Sequence, residues 1–145
     1  MSSNVAIELS TYRFEKAQDL LSQAIILFQK GKFDGSINRS YYSIFNSIRS
    51  LLALSNLDSS KHSGVLAYFD RYYVKTRIFS REFSKIAHAA FDLRQDNDYE
   101  DFYKPSSEEA KHQIEDAKKF LQEVKIIRQK LIHNEIDLPN DDSIF

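Results

Sequence analysis

Asn38-Arg39-Ser40-Tyr41-Tyr42-Ser43-Ile44-Phe45-Asn46-Ser47-Ile48-Arg49 reads as one helix with two working faces. Ile37, Tyr41, Ile44, Phe45, Ile48 and Leu52 recur at helical spacing and make a core stripe. Arg39, Tyr42, Asn46 and Arg49 recur at intervals of three and four on a second face, turned by more than a quarter of the circumference. With Asn38, this row can meet a phosphate, a nucleobase or a partner helix. An ordinary solvated face is richer in Glu and Lys.

The same period extends to both sides. Phe14, Ala17, Leu21, Ala24 and Phe28 alternate at spacings of three and four, which predicts an amphipathic helix from Ser10 to Lys30 ended by Gly31. Asp34 or Ser36 is placed to cap the second helix, which runs to about Leu54. After a polar turn at 55–60, Lys61-His62-Ser63-Gly64 leads into a short helix, 65–74, with Val65, Leu66, Phe69 and Tyr73 inward. Ser80 is placed to cap a fourth helix, with Phe83, Ile86, Ala87, Ala90 and Phe91 on its apolar face. Arg94 to Lys104 is acidic and aromatic and loses the period, so a loop is expected there. Ser106 and Glu109 form the signature of a capping box before a last helix carrying Ala110, Ile114, Ala117, Leu121, Val124 and Leu131. The result is an all-α, antiparallel four- to five-helix bundle, a single domain over 1–134 with a tail at 135–145 expected to fray.

Composition narrows the chemistry. The 145 residues include 42% hydrophobic and 28% charged side chains, enough for one real core. A formal charge of −1 excludes a general basic coat, so any nucleic-acid contact must come from a local patch. With no cysteine, disulfides, thiolate nucleophiles and cysteine metal sites are excluded. No basic-then-apolar leader and no run of about 18 apolar residues is present, so no membrane contact is expected and the cytoplasm is the default location. Eight Tyr and eleven Phe without Trp are the unusual feature, because a buried Tyr needs a partner for its hydroxyl.

Taken in order, Gly31-Lys32-Phe33, Asn38-Arg39-Ser40-Tyr41-Tyr42, Lys61-His62-Ser63-Gly64-Val65, Phe69 with Tyr73-Val74-Lys75, Arg94 with Asp98-Tyr99, and Ala117-Lys118-Lys119-Phe120 resemble the HEPN domains of bacteria and archaea. The likeness is to the branch with an Asn-Arg-x-Tyr-Tyr second helix and covers roughly residues 10 to 127. It implies a helical bundle, usually a homodimer, often encoded beside a small nucleotidyltransferase as a toxin and antitoxin pair. Toxic members of the family are metal-independent endoribonucleases that use Arg-x(4–6)-His in a groove between subunits. In some pairs the partner adds AMP to a tyrosine near that motif, and Tyr99 or Tyr103 would suit this.

The motif is altered here. Arg94 occupies the position of the family's arginine, but Tyr99, not a histidine, follows five residues later. The literal matches Arg81–His88 and Arg128–His133 carry little weight, since eight Arg and four His make chance matches common. Attack by a ribose hydroxyl needs a proton acceptor of near-neutral pKa and positive charge at the phosphate. Arg94 supplies charge, but a tyrosine with a pKa of about 10 is a poor base. The candidate catalytic set is therefore Arg94, Tyr99 and His62, and the candidate binding set is Asn38, Arg39, Tyr42, Asn46, Arg49 and Asp98.

Structural alternatives stand beside each of these. The polar row can be a layer bonding the acids at 96–98, Arg39 to Asp98 for instance, or a dimer contact. His62 can be a turn or cap residue, and His88 a packed one. Asp96, Asp98, Glu100 and Asp101 have no histidine spacing that supports a metal, and no cofactor is called for. Two functions follow from the sequence. One is a toxin-like endoribonuclease neutralised by a nucleotidyltransferase. The other is a non-catalytic module that binds a nucleotide or that partner.

Overall fold

A computed structural model of the chain describes residues 3–140. Five helices follow in order: α1 (Asn4–Gln29), α2 (Phe33–Leu54), α3 (His62–Phe69), α4 (Arg81–Tyr99) and α5 (Ser107–Ile132). A π-helical turn, Asp70–Val74, continues α3. No strand occurs among the described residues, and the chain is the all-α bundle that its periodicity predicts. No helix among them is long and apolar enough to cross a membrane.

Helix α2 is the central element, packed against α1, α3, α4 and α5. Its seam with α1 is made of small residues at heptad spacing. Ser10, Ala17 and Ala24 of α1 and Ser36, Ser43 and Ser50 of α2 are all fully buried. Small side chains let two helix backbones approach closely, and a seven-residue repeat keeps them in register. The serine hydroxyls are satisfied by carbonyls: Ser36 Oγ donates to Ala24 O at 2.8 Å and Ser43 Oγ to Ala17 O at 2.7 Å. Both bonds cross to the neighbouring helix. On the opposite side of α2, Tyr41, Ile44, Ile48, Leu51 and Leu52 join Val65, Phe69, Tyr73, Phe79, Phe120 and Val124 in one apolar cluster.

Helix ends explain most boundaries. The Schellman arrangement closes α1: Lys32 N–H reaches Leu27 O at 2.8 Å and Gly31 N–H reaches Phe28 O at 3.0 Å, with Gly31 at φ 73°. Helices α2 and α5 end the same way, with Asn56 (φ 58°) and Asn134 (φ 57°) in the left-handed position. The expected capping box forms: Ser106 Oγ accepts from Glu109 N–H, and Glu109 Oε1 accepts from Ser106 N–H, both at 3.1 Å.

Several local expectations change. Helix α1 starts earlier than Ser10, capped by Ser3, which accepts from Ala6 N–H. Helix α2 begins at Phe33, so Asp34 lies in its first turn, and Ser36 turns inward to α1 instead of capping. Ser80 precedes α4 in an extended conformation but makes no side-chain cap. The largest difference is at 94–99, expected as loop. Here α4 continues to Tyr99, because Asp98 pairs with Arg94 one turn back at 3.1 Å and Asn97 Nδ2 donates to Asp34 O at 2.9 Å. One local i,i+4 pair and one tertiary bond thus stabilise a turn that has no apolar period of its own. Within 135–145, Ile136 and Leu138 pack against the core and Pro139 is buried, while 141–145 lie outside the described residues.

Phe120 of α5 is fully buried, with ring centroids 5.5 Å from Phe69, 6.3 Å from Phe79 and 5.7 Å from Phe83. Phe120→Ala is expected to cost about 3–5 kcal/mol, read as a lowered urea midpoint at unchanged m-value.

Candidate functional site

Helices α2, α3 and α4 converge on one imidazole. His62 opens α3, and its ring stacks on Phe45 at a centroid distance of 4.3 Å and on Tyr41 at 5.8 Å. Tyr42 meets the ring edge-on at 5.8 Å. Two groups address the same nitrogen: Tyr41 Oη lies 2.8 Å and Arg94 Nη2 3.2 Å from His62 Nδ1. A guanidinium can only donate. Nδ1 must therefore be the unprotonated nitrogen, Tyr41 donates to it as well, and the neutral ring carries its proton on Nε2.

Gly64 makes that placement possible. The turn 58–61 folds over the first turn of α3, with Ser59 N–H donating to Asp58 Oδ1 and Lys61 N–H donating to Ser59 Oγ. A Cβ at position 64 would come within 2.0 Å of Ser59 Oγ and 2.9 Å of its Cβ. The Lys-His-Ser-Gly run thus sets the histidine through the room its glycine leaves.

Arg94 is 7% exposed and lies over two rings, its Cζ 5.0 Å from the centroid of Tyr41 and 5.5 Å from that of Tyr42. Nη1 pairs with Asp98 at 3.1 Å, while Nε–H is buried with no partner among the described residues. Burial alone would lower the Arg94 pKa, but the Asp98 bond and the two tyrosines outweigh it and raise it. Arg49 approaches from the other side and pairs with Asp58 at 4.0 Å. Its backbone carbonyl accepts from buried Arg13 at 3.1 Å. Burial first, then the charges of Arg94 and Arg49, hold the His62 pKa below its ordinary value. Burial pushes the Tyr41 phenol upward, so that hydroxyl stays protonated and keeps donating.

Of the residues singled out in the sequence, the structure brings together Arg94, His62, Tyr42 and Asp98, with Arg49 near enough to act on His62. Arg39 is engaged elsewhere: Nε donates to Gln23 of α1 and Nη1 to Asn38. The alternative pairing of Arg39 with Asp98 does not form, since Asp98 serves Arg94. Asn46 is buried and donates back to Tyr42 O at 2.8 Å. Tyr99 is 75% exposed at the end of α4. Five residues along a helix place it about 140° around the axis from Arg94. Tyr103 donates to Glu109 Oε2 at 2.9 Å, and burial together with Glu109 pushes its phenol up to about 12. The literal Arg128–His133 match serves packing, with Arg128 Nε donating to Ser10 Oγ at 2.8 Å.

Tyr41 and Phe45 were legible only as core. The eight tyrosines were the available signal, because a core tyrosine must place its hydroxyl somewhere polar. Among the described residues, no three His, Asp or Glu side chains gather as metal ligands would.

Comparison with known proteins identifies the family. The sequence profile of the HEPN domain matches residues 10–127. The chain belongs to the HEPN domain family. It is 33% identical over 123 residues to a "UPF0332 protein" of Thermotoga maritima, covering 85% of this chain and 90% of the relative. It is 35% identical over 111 residues to "Putative toxin MJ0605" of Methanocaldococcus jannaschii, covering 77% and 82%. A further relative from that organism, "Putative toxin MJ0142", is 30% identical over 125 residues.

The lowered His62 pKa makes a signed prediction. As pH falls below about 6.5, His62 protonates in the unfolded chain before it does in the HEPN fold, so stability drops. It stops dropping once pH passes the folded value. A histidine-resolved NMR titration should find His62 below the ordinary range, and Arg94→Met should move it upward.

Proposed function

We propose that this HEPN protein is toxin-like, acts on RNA as a homodimer, and uses the cleft of Arg94, His62 and Arg49 to grip phosphate. The observation that carries this reading is the orientation of His62. With Nδ1 accepting from Arg94 and Tyr41, the imidazole offers Nε2–H, a hydrogen-bond donor, and has no free lone pair for a proton. A donor beside two guanidinium groups suits an anion. The names of the Methanocaldococcus relatives support the toxin-like part. A small nucleotidyltransferase is the proposed neutralising partner, on the strength of the family resemblance.

A second reading, metal-independent endoribonuclease, is favoured by Arg94 standing at the motif's arginine position with its guanidinium beside an imidazole. In that case the base comes from outside the cleft, through the second subunit of a homodimer, because Tyr99 lies away from Arg94 and His62 is turned as a donor.

Labelled total RNA incubated with the purified protein in EDTA separates the two. Retarded but intact RNA across a concentration series is expected; fragments would replace the binding reading with the ribonuclease one. Arg94→Met, checked by its melting curve, should weaken retention at least tenfold, the order of one lost charged hydrogen bond of about 1.5–3 kcal/mol. Wild-type retention by a folded variant would show that the grip lies elsewhere.

A further inference from the structure

Arg94 and Arg49 are both paired with aspartates, yet a different face carries four cations with no such partner among the described residues. Residues 71–85 hold Arg71, Lys75, Arg77, Arg81 and Lys85 against a single acid, Glu82, in a chain whose net charge is −1. Glu82 is itself bonded to Lys119 of α5. Among the described residues, Lys75, Arg77, Arg81 and Lys85 take part in no ion pair or side-chain hydrogen bond, and all four are exposed. Uncompensated cations this close in sequence raise the local potential and attract polyanions.

The fold turns that run into a surface. The chain leaves the π-helical turn, reverses through Arg77 at φ 66°, and enters α4. The reversal sets Lys75 opposite Arg81 and Lys85, and together with Ser84 they line a cavity of about 470 Å³. Asp70 is the acid in its wall, and each of its oxygens is already engaged: Oδ1 accepts from Ser84 Oγ at 2.6 Å and Oδ2 meets His88 Nε2 at 2.7 Å. Tyr68 and Tyr72, half-buried with ring centroids 6.0 Å apart, flank the basic turn, and Arg71 lies over Tyr72. Cations beside aromatic rings are what a single strand of nucleic acid uses, phosphates on the first and bases on the second.

We propose that this basic turn, centred on Lys75, Arg81 and Lys85, is a second contact for single-stranded RNA, distinct from the Arg94–His62 cleft. The inference rests on the RNA reading of the HEPN cleft. His62 opens α3, and Lys75 lies thirteen residues further along the same helical run, which at 1.5 Å per residue is roughly 20 Å away. Arg94 closes the same arm from α4, so the two contacts sit at opposite ends of the α3–α4 hairpin. A strand long enough to touch both gains affinity through effective concentration, and one short enough to sit in the cleft gains none.

The test compares a dinucleotide with a single phosphate and an RNA of roughly 20 nucleotides, each titrated across a salt series. The proteins are wild type, the triple variant Lys75→Gln/Arg81→Gln/Lys85→Gln and the charge-reversed triple with Glu. All three positions are exposed, and melting curves confirm folding; the neutral variant carries the test should the reversed one unfold. Wild type should bind the long strand more tightly. The Gln variant should bind it about tenfold more weakly, with a log–log salt slope shallower by about 2, as follows when three fewer phosphates are neutralised. Its affinity for the dinucleotide should stay at wild type. Equal slopes for wild type and variant overturn the basic turn while leaving the cleft standing. Failure of wild type to bind either RNA overturns the cleft reading itself. A variant that loses affinity for poly-glutamate while keeping its RNA slope gives this face to an acidic protein and overturns the inference.

Discussion

The single lone pair on His62 Nδ1 holds the meeting point of α2, α3 and α4 together. It receives a hydroxyl from α2 and a guanidinium from α4 while the ring itself belongs to α3. Three helices, already in ring contact here through Phe45 on His62 and Tyr41 on Phe91, are also joined through one acceptor atom. The arrangement requires a neutral imidazole, which burial favours first and the flanking charges of Arg94 and Arg49 favour further by opposing another positive charge. Phe45 beneath the ring and Tyr42 at its edge leave little freedom for it to turn away.

That constraint has a cost in the same place. Arg94 is almost wholly buried, and one of its N–H groups meets no acceptor among the described residues. An unmet buried donor costs about 1–3 kcal/mol. Asp98 and the faces of two tyrosines offset the desolvation, and Asp98 is available only because α4 extends past Arg94. The last turn of α4 therefore exists for its side chains' partners and not for its own apolar burial.

The distribution of charge follows a consistent logic. Cations near His62 are tied to aspartates, Arg94 to Asp98 and Arg49 to Asp58, which restrains their positions. Lys75, Arg77, Arg81 and Lys85 are untied among the described residues and carried on long stems, which suits a contact governed by counterion release more than by geometry. A net charge near zero hides this division, because the acids that balance the sum lie elsewhere on the surface.

Much of the fold was legible from local rules. The 3–4 spacing of Phe14 to Phe28 and of Ala110 to Leu131, Gly31 at a left-handed helix end, and the Ser106–Glu109 box are short-range physics, and the helices they predict are present. So is the stripe Tyr41, Ile44, Ile48 and Leu52 on the buried side of α2. What only tertiary structure decided involved partners distant in sequence. The helical state of 95–99 depends on Asn97 reaching Asp34, sixty-three positions away. The buried serines of α2 look polar until the small residues of α1 are laid against them. Tyr41 reads as core until its hydroxyl is seen on His62, and Arg39 reads as a companion of Arg94 until it turns to Gln23. Periodicity tells which face of a helix is wet or dry, because that depends on spacing along one element. Which polar atoms meet depends on how several elements dock, and no spacing within one of them carries that information.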